Sequence, residues 1–187
     1  RRARSARRGG RPGRRRGVRA VRLGAALVAA LALQTTLGAI VSGGQASVDL
    51  VLVLVVYVAI GAGPAAGLLF GSVAGLLQDA LSGGIVGVGG LAKSLVGFAA
   101  GVAGTQFIVT GPLPRFMTFV GGTLLHAACF FGVYALVEPA GIGIPWTAAA
   151  MQAVANGAAG LLAFHLVERL PGWVRRYRMR RTHLRMR

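Results

Sequence analysis

PAAGLLFGSVAGLLQDAL, residues 64–81, decides the class of fold. The stretch holds one charged residue, Asp79, near its end. An apolar run of this length can cross a hydrocarbon layer of about 30 Å as a helix. Pro64 opens it at the first helical position, where a missing N–H costs nothing. Gly67, Gly71 and Gly75 recur every four residues and share one helix face. Along such a stripe two backbones can approach closely, which drives helix association where water cannot.

Outward from this segment the pattern repeats. Further apolar runs lie at 20–40, 48–60, 91–108, 116–137 and 146–167. The run at 48–60 is short for a span, so its outer end is expected earlier or the membrane is locally thin. Gly61-Ala62-Gly63, the Gly-rich 82–90, Gly111-Pro112-Leu113-Pro114-Arg115 and 139–145 separate the runs, and Pro171-Gly172 is expected to end the last. The runs are too long for barrel strands and lack their alternation. The expectation is an all-α membrane protein: a six-transmembrane-helix bundle at 20–168, between a disordered Arg-rich tail at 1–19 and a basic tail at 169–187.

Composition agrees. Of 187 residues 55% are hydrophobic and 13% charged, with a mean hydropathy of +0.66. A soluble domain carries about 25% charged residues. The 21 basic residues are segregated: eleven lie in 1–22 and eight in 169–187, leaving Lys93 and Arg115 between. Nucleic-acid binding is set aside, because the tails lack aromatic platforms for stacking bases. Basic tails instead predict two cytoplasmic ends and attraction to anionic lipid. Two cytoplasmic ends need an even number of spans, and the loops at 42–47, 82–90 and 138–145, expected outside, hold no Arg or Lys. Ala30-Leu31-Ala32 could pass for a signal-peptidase site, but the apolar run continues beyond it, so the first run is read as a retained span.

On this topology Asp49, Asp79 and Glu138 fall near outer helix ends, and Glu168 at the inner end of the last helix beside Arg169. Lys93 lies one turn into the fourth helix. Asp79 and Lys93 flank one outer loop. They are expected either to reach separately for the interface or to pair across the loop and fix the third helix against the fourth. His126, Gln152 and Asn156 lie deeper, where polar groups usually hydrogen-bond between helices. Gly97 and Gly101 form a shorter small-residue pair on the fourth helix. The stripes predict tight packing, within the bundle or against a partner's helix.

Catalytic chemistry finds little support. Gly83 to Gly90 followed by Lys93 resembles a phosphate loop, but Leu91 and Ala92 separate the lysine from the last glycine. The histidines are scattered at 126, 165 and 183, and Cys129 is a lone thiol expected to be buried and inert. No enzyme activity, cofactor or metal is expected.

The middle of the chain resembles a known family. Asp49 to Tyr57 is similar to the second helix of MreD, the bacterial rod shape-determining membrane protein. Leu76-Leu77-Gln78-Asp79-Ala80-Leu81-Ser82-Gly83, then Gly87, then Leu95-Val96-Gly97-Phe98 resembles the family's most recognisable segment. Gln152 to Asn156-Gly157 resembles its last helix. The likeness spans about 20–168. One departure is Val48, where the family tends to place proline. The resemblance implies a bundle similar to the S-components of energy-coupling-factor vitamin transporters. It also implies a non-catalytic scaffold of cell elongation and peptidoglycan synthesis in the inner membrane. Its implied partner is MreC, and through it RodA, a penicillin-binding transpeptidase and MreB. By position it carries over Tyr57, Asp79, Gly83, Gly87, Asn156 and Gly157 as residues shaping the bundle and its partner surface. A homodimer is left open. The alternative function is a vitamin-binding S-component, for which Ala25/Ala29 and Ala26/Ala30 supply the AxxxA spacing. Against it, few aromatics are expected near the outer surface beyond Trp146.

Overall fold

The computed structural model describes residues 12–40, 48–83, 85–107, 109, 111–137 and 145–183. Among these are six helices and no strand: α1 (Pro12–Ile40), α2 (Leu50–Ala62), α3 (Pro64–Ser82), α4 (Val88–Gln106), α5 (Pro112–Val137) and α6 (Trp146–His183). Four of them, α3, α4, α5 and α6 as far as Glu168, are long and apolar enough to cross a membrane. The apolar part of α1, Ala20–Thr36, and α2 are shorter. Glu138 and the expected outer loop at 42–47 lie outside the described residues.

Two boundaries differ from expectation. Helix α1 begins at Pro12, inside the stretch expected to be disordered. Proline suits a first turn, and the Arg and Ala residues that follow are good helix formers. Helix α6 runs through Pro171-Gly172 to His183. A proline removes one helical hydrogen bond and bends the path, but the neighbouring turns can carry the helix across it.

Helix α2 is the axis of the bundle. Its 13 residues span about 20 Å at 1.5 Å per residue. Val51, Leu52, Val53, Val55, Val56, Val58 and Ala59 are all buried, so it is apolar on every side because other helices cover every side. Leu27 and Leu31 of α1 pack on Val51, Val55 and Ala74. On the opposite flank Leu52, Val53, Val56 and Ala59 meet Val96, Ala100 and Phe119. Outward-facing Leu69, Leu136 and Leu162 are 60–83% exposed, which suits a surface facing lipid rather than water.

The α3–α4 hairpin holds the closest contact. Each four-residue step along α3 is matched by one back along α4. A Cβ added to Gly67 would fall on the Gly97 carbonyl, one on Gly71 on the Lys93 carbonyl, and one on Gly75 within 2.6 Å of the Gly89 carbonyl. In the same register a Cβ on Gly101 would meet Pro64 at 2.5 Å. The α4 stripe is therefore Gly89, Lys93, Gly97, Gly101, with a lysine inside a glycine series. Gly67, Gly71, Gly75, Gly97 and Gly101 are spent inside this hairpin and are covered against outside partners.

Candidate functional site: a polar cluster at one end of the bundle

The start of α2, the α3–α4 turn and the start of α6 lie at one end of the bundle, called here the Asp49 end. Asp49 caps α2, its Oδ1 accepting from the Leu52 amide at 2.9 Å. Four helical amides lack internal partners at such an end, and an aspartate is well suited to take one. This cap fixes the start of α2 although Val48 stands where the family tends to place proline.

Lys93 Nζ lies 2.9 Å from Asp49 Oδ2, with side chains 3% and 7% exposed. The expected Asp79–Lys93 pair is therefore replaced by an Asp49–Lys93 pair, and neither member reaches separately for the interface. The reason is the α3–α4 register. With no side chain at Gly71, the Lys93 backbone sits flush on α3, and its side chain crosses to α2 and α5 instead. There Nζ also lies 3.1 Å from His126 Nε2. An ammonium has only donors, so this ring nitrogen accepts.

Asp79 does different work. Its Oδ2 accepts from the amides of Gly87 at 2.9 Å and Gly90 at 3.1 Å, closing the loop into the start of α4. A carboxylate at a helix N-terminus is favoured by the exposed amides and by the helix dipole. Gly83 and Gly87 take φ of 68° and 109°, the left-handed region open to glycine, so that the loop can fold back over Asp79. A Cβ on Gly89 would strike Asp79 Oδ1.

Asn156 is fully buried. Its Oδ1 accepts from the Asp49 amide at 2.9 Å, and its Nδ2 donates to Thr123 Oγ1 at 3.1 Å. Thr123 in turn donates to the Phe119 carbonyl at 2.8 Å. Gly157 lies beneath the Phe116 ring. Gln152 is half-buried one turn before Asn156. The Asp49–Lys93–His126 and Asp49–Asn156–Thr123 branches tie α2, α4, α5 and α6 together, and Asp79 adds the α3–α4 loop.

The cluster borders a cavity of about 170 Å³ lined by Gln78, Asp79, Lys93, His126, Phe130 and Tyr134 among others. His126 stacks on Phe130 at 5.7 Å, and Phe130 meets Tyr134 at 4.8 Å. Residues 126, 130 and 134 recur every four residues and fall on one α5 face, an aromatic row that the sequence reading, which noted only Trp146, did not single out. Trp146 is 56% exposed.

At the opposite end Glu168 Oε1 lies 2.6 Å from Arg115 Nη2, and the Arg115 guanidinium stands 4.3 Å over the Phe164 ring. Sequence adjacency suggested Arg169 as its neighbour; the α5–α6 packing brings Arg115. Tyr57 meets the same Phe164 at 4.5 Å with the rings tilted by 49°. Cys129 is a free thiol, half-buried rather than buried.

Sequence reasoning gave Gly89 and Gln78 no role of their own and passed over Thr123 and the Asp49–Lys93 pairing. A signal for the last two-helix contact existed: Lys93 falls on the four-residue spacing of Gly89, Gly97 and Gly101.

A family model described as rod shape-determining protein MreD matches residues 21–166. The chain belongs to the MreD family. Comparison with curated proteins yields no match, and none is found among solved structures. The match runs from within α1 to near the end of the α6 span and includes Asp49, Asp79, Lys93, His126 and Asn156. The chain is a membrane protein of a family that determines rod shape.

Proposed function

We propose that the protein is a non-catalytic membrane scaffold of the cell-elongation machinery, binding MreC and through it RodA, a penicillin-binding transpeptidase and MreB. One observation supports this beside the family match: its strongest polar groups are used to hold helices together. Asp49 is paired with Lys93, Asp79 with two backbone amides, and Asn156 with Asp49 and Thr123. Such a bundle is a stiff body on which a partner's helix can be seated.

In this reading both Arg-rich ends face the cytoplasm and touch anionic lipid, and the Asp49 end faces outward across the inner membrane. Affinity purification of the tagged chain from gently solubilised membranes tests it. A single-span, coiled-coil periplasmic protein with wall-synthesis enzymes is expected. Recovery instead of paired ABC-type ATPases with a coupling membrane subunit would sink the scaffold reading in favour of a vitamin-uptake role. Reporter fusions to the C-terminus test orientation, and an outward C-terminus would overturn it.

A further inference from the structure

The cavity at the Asp49 end has a chemistry that the scaffold role does not use. Gln78 lines it, and Gln78 Oε1 is a buried acceptor without a hydrogen-bond partner among the described residues. A buried polar atom left unmatched costs about 1–3 kcal/mol, so such atoms usually serve a further group. The charges in the wall do not cancel. Lys93 is neutralised by Asp49, and His126 accepts from Lys93, which leaves the carboxylate of Asp79, held by two backbone amides but by no cation among the described residues. One side of the cavity is an aromatic row, His126, Phe130 and Tyr134. The geometry points to a site for a primary ammonium group.

Each wall selects for it. Asp79 supplies the opposite charge, Gln78 Oε1, once a half-turn of its amide brings it to the cavity, the acceptor for an N–H, and the rings of Phe130 and Tyr134 an aromatic wall of the kind that favours a nearby cation. A quaternary ammonium carries no N–H and leaves Gln78 unmatched. A metal ion fits poorly, since no group of three His, Cys, Asp or Glu among the described residues could hold one. The volume, about 170 Å³, compares with the roughly 150 Å³ of an apolar cavity that admits benzene. A group the size of aminoethanol fits. It could belong to an aminophospholipid headgroup or to a free small amine.

The test uses the full chain purified in detergent. In one arm equimolar phosphatidylethanolamine and phosphatidylcholine are added, and retained lipid is read by native mass spectrometry. In the other, the melting midpoint is followed with ethanolamine or choline at equal concentration. About tenfold preferential retention of phosphatidylethanolamine assigns the site to a headgroup. A midpoint raised by ethanolamine and not by choline, without lipid preference, assigns it to a free amine. Equal behaviour of the two amines and of the two lipids overturns the proposal. Gln78→Leu should abolish the preference and Gln78→Glu strengthen it. A preference unchanged in whichever of these variants folds would overturn the assigned contact.

Discussion

Lys93 Nζ and Asp49 Oδ2 stand 2.9 Å apart in the interior of the bundle, joining the fourth helix to the start of the second. The pair is enclosed by α2, α4 and α5, and the Asp49 amide is held in turn by Asn156 of α6. Burying two charges is expensive, and the attraction between them repays that only when both are present.

Removing one member should therefore hurt more than removing both. Lys93→Met leaves a bare carboxylate, and Asp49→Asn leaves a bare ammonium while retaining a capping side chain. Each single change is expected to cost about 3–5 kcal/mol. The double variant should melt closer to the wild type than either single, as read by thermal stability of the detergent-solubilised protein. Strict additivity of the two losses would show that the residues do not interact.

The glycine register of α3 makes a sharper demand. Gly71→Ala puts a methyl group against the Lys93 carbonyl, which is backbone and cannot turn aside. A loss of about 1–3 kcal/mol or more is expected, as for overpacking of a dense core. Gly121→Ala is the control, because nothing lies within 4 Å of an added Cβ there. Equal melting points for the two variants would mean that α3 and α4 do not meet as described.

Asp79 is expected to act through the loop. Asp79→Ala releases the Gly87 and Gly90 amides, and loss of a cap of this kind costs about 0.5–2 kcal/mol. Faster hydrogen exchange confined to residues 83–90 is the expected signature. If exchange there is unchanged, Asp79 is not holding that turn.

Asn156→Leu keeps the volume and removes both hydrogen bonds. The Asp49 amide is then buried without a partner, at about 1–3 kcal/mol. Thr123→Val added to it should cost little more, since Thr123 would already have lost its partner in Asn156. A double variant far worse than Asn156→Leu would separate the two residues.

The sequence by itself determined the spans and the breaks. Long apolar runs can satisfy their backbone in lipid only as helices, and Gly63-Pro64 and Gly111-Pro112 mark turns wherever the chain is folded. It also marked Gly67, Gly71 and Gly75 as one face, because helical spacing is a local property. Which face met which was decided by tertiary structure. Asp79 and Lys93 flank one loop, and nearness in sequence suggested a pair. The glycine register directs Lys93 away from that loop, and Asp79 is taken by the amides of Gly87 and Gly90. Partners such as Asp49 and Asn156 lie far apart along the chain, and no local pattern encodes which buried donor finds which acceptor. That choice is made only when the helices pack, by the rule that each charge taken out of water must meet its complement.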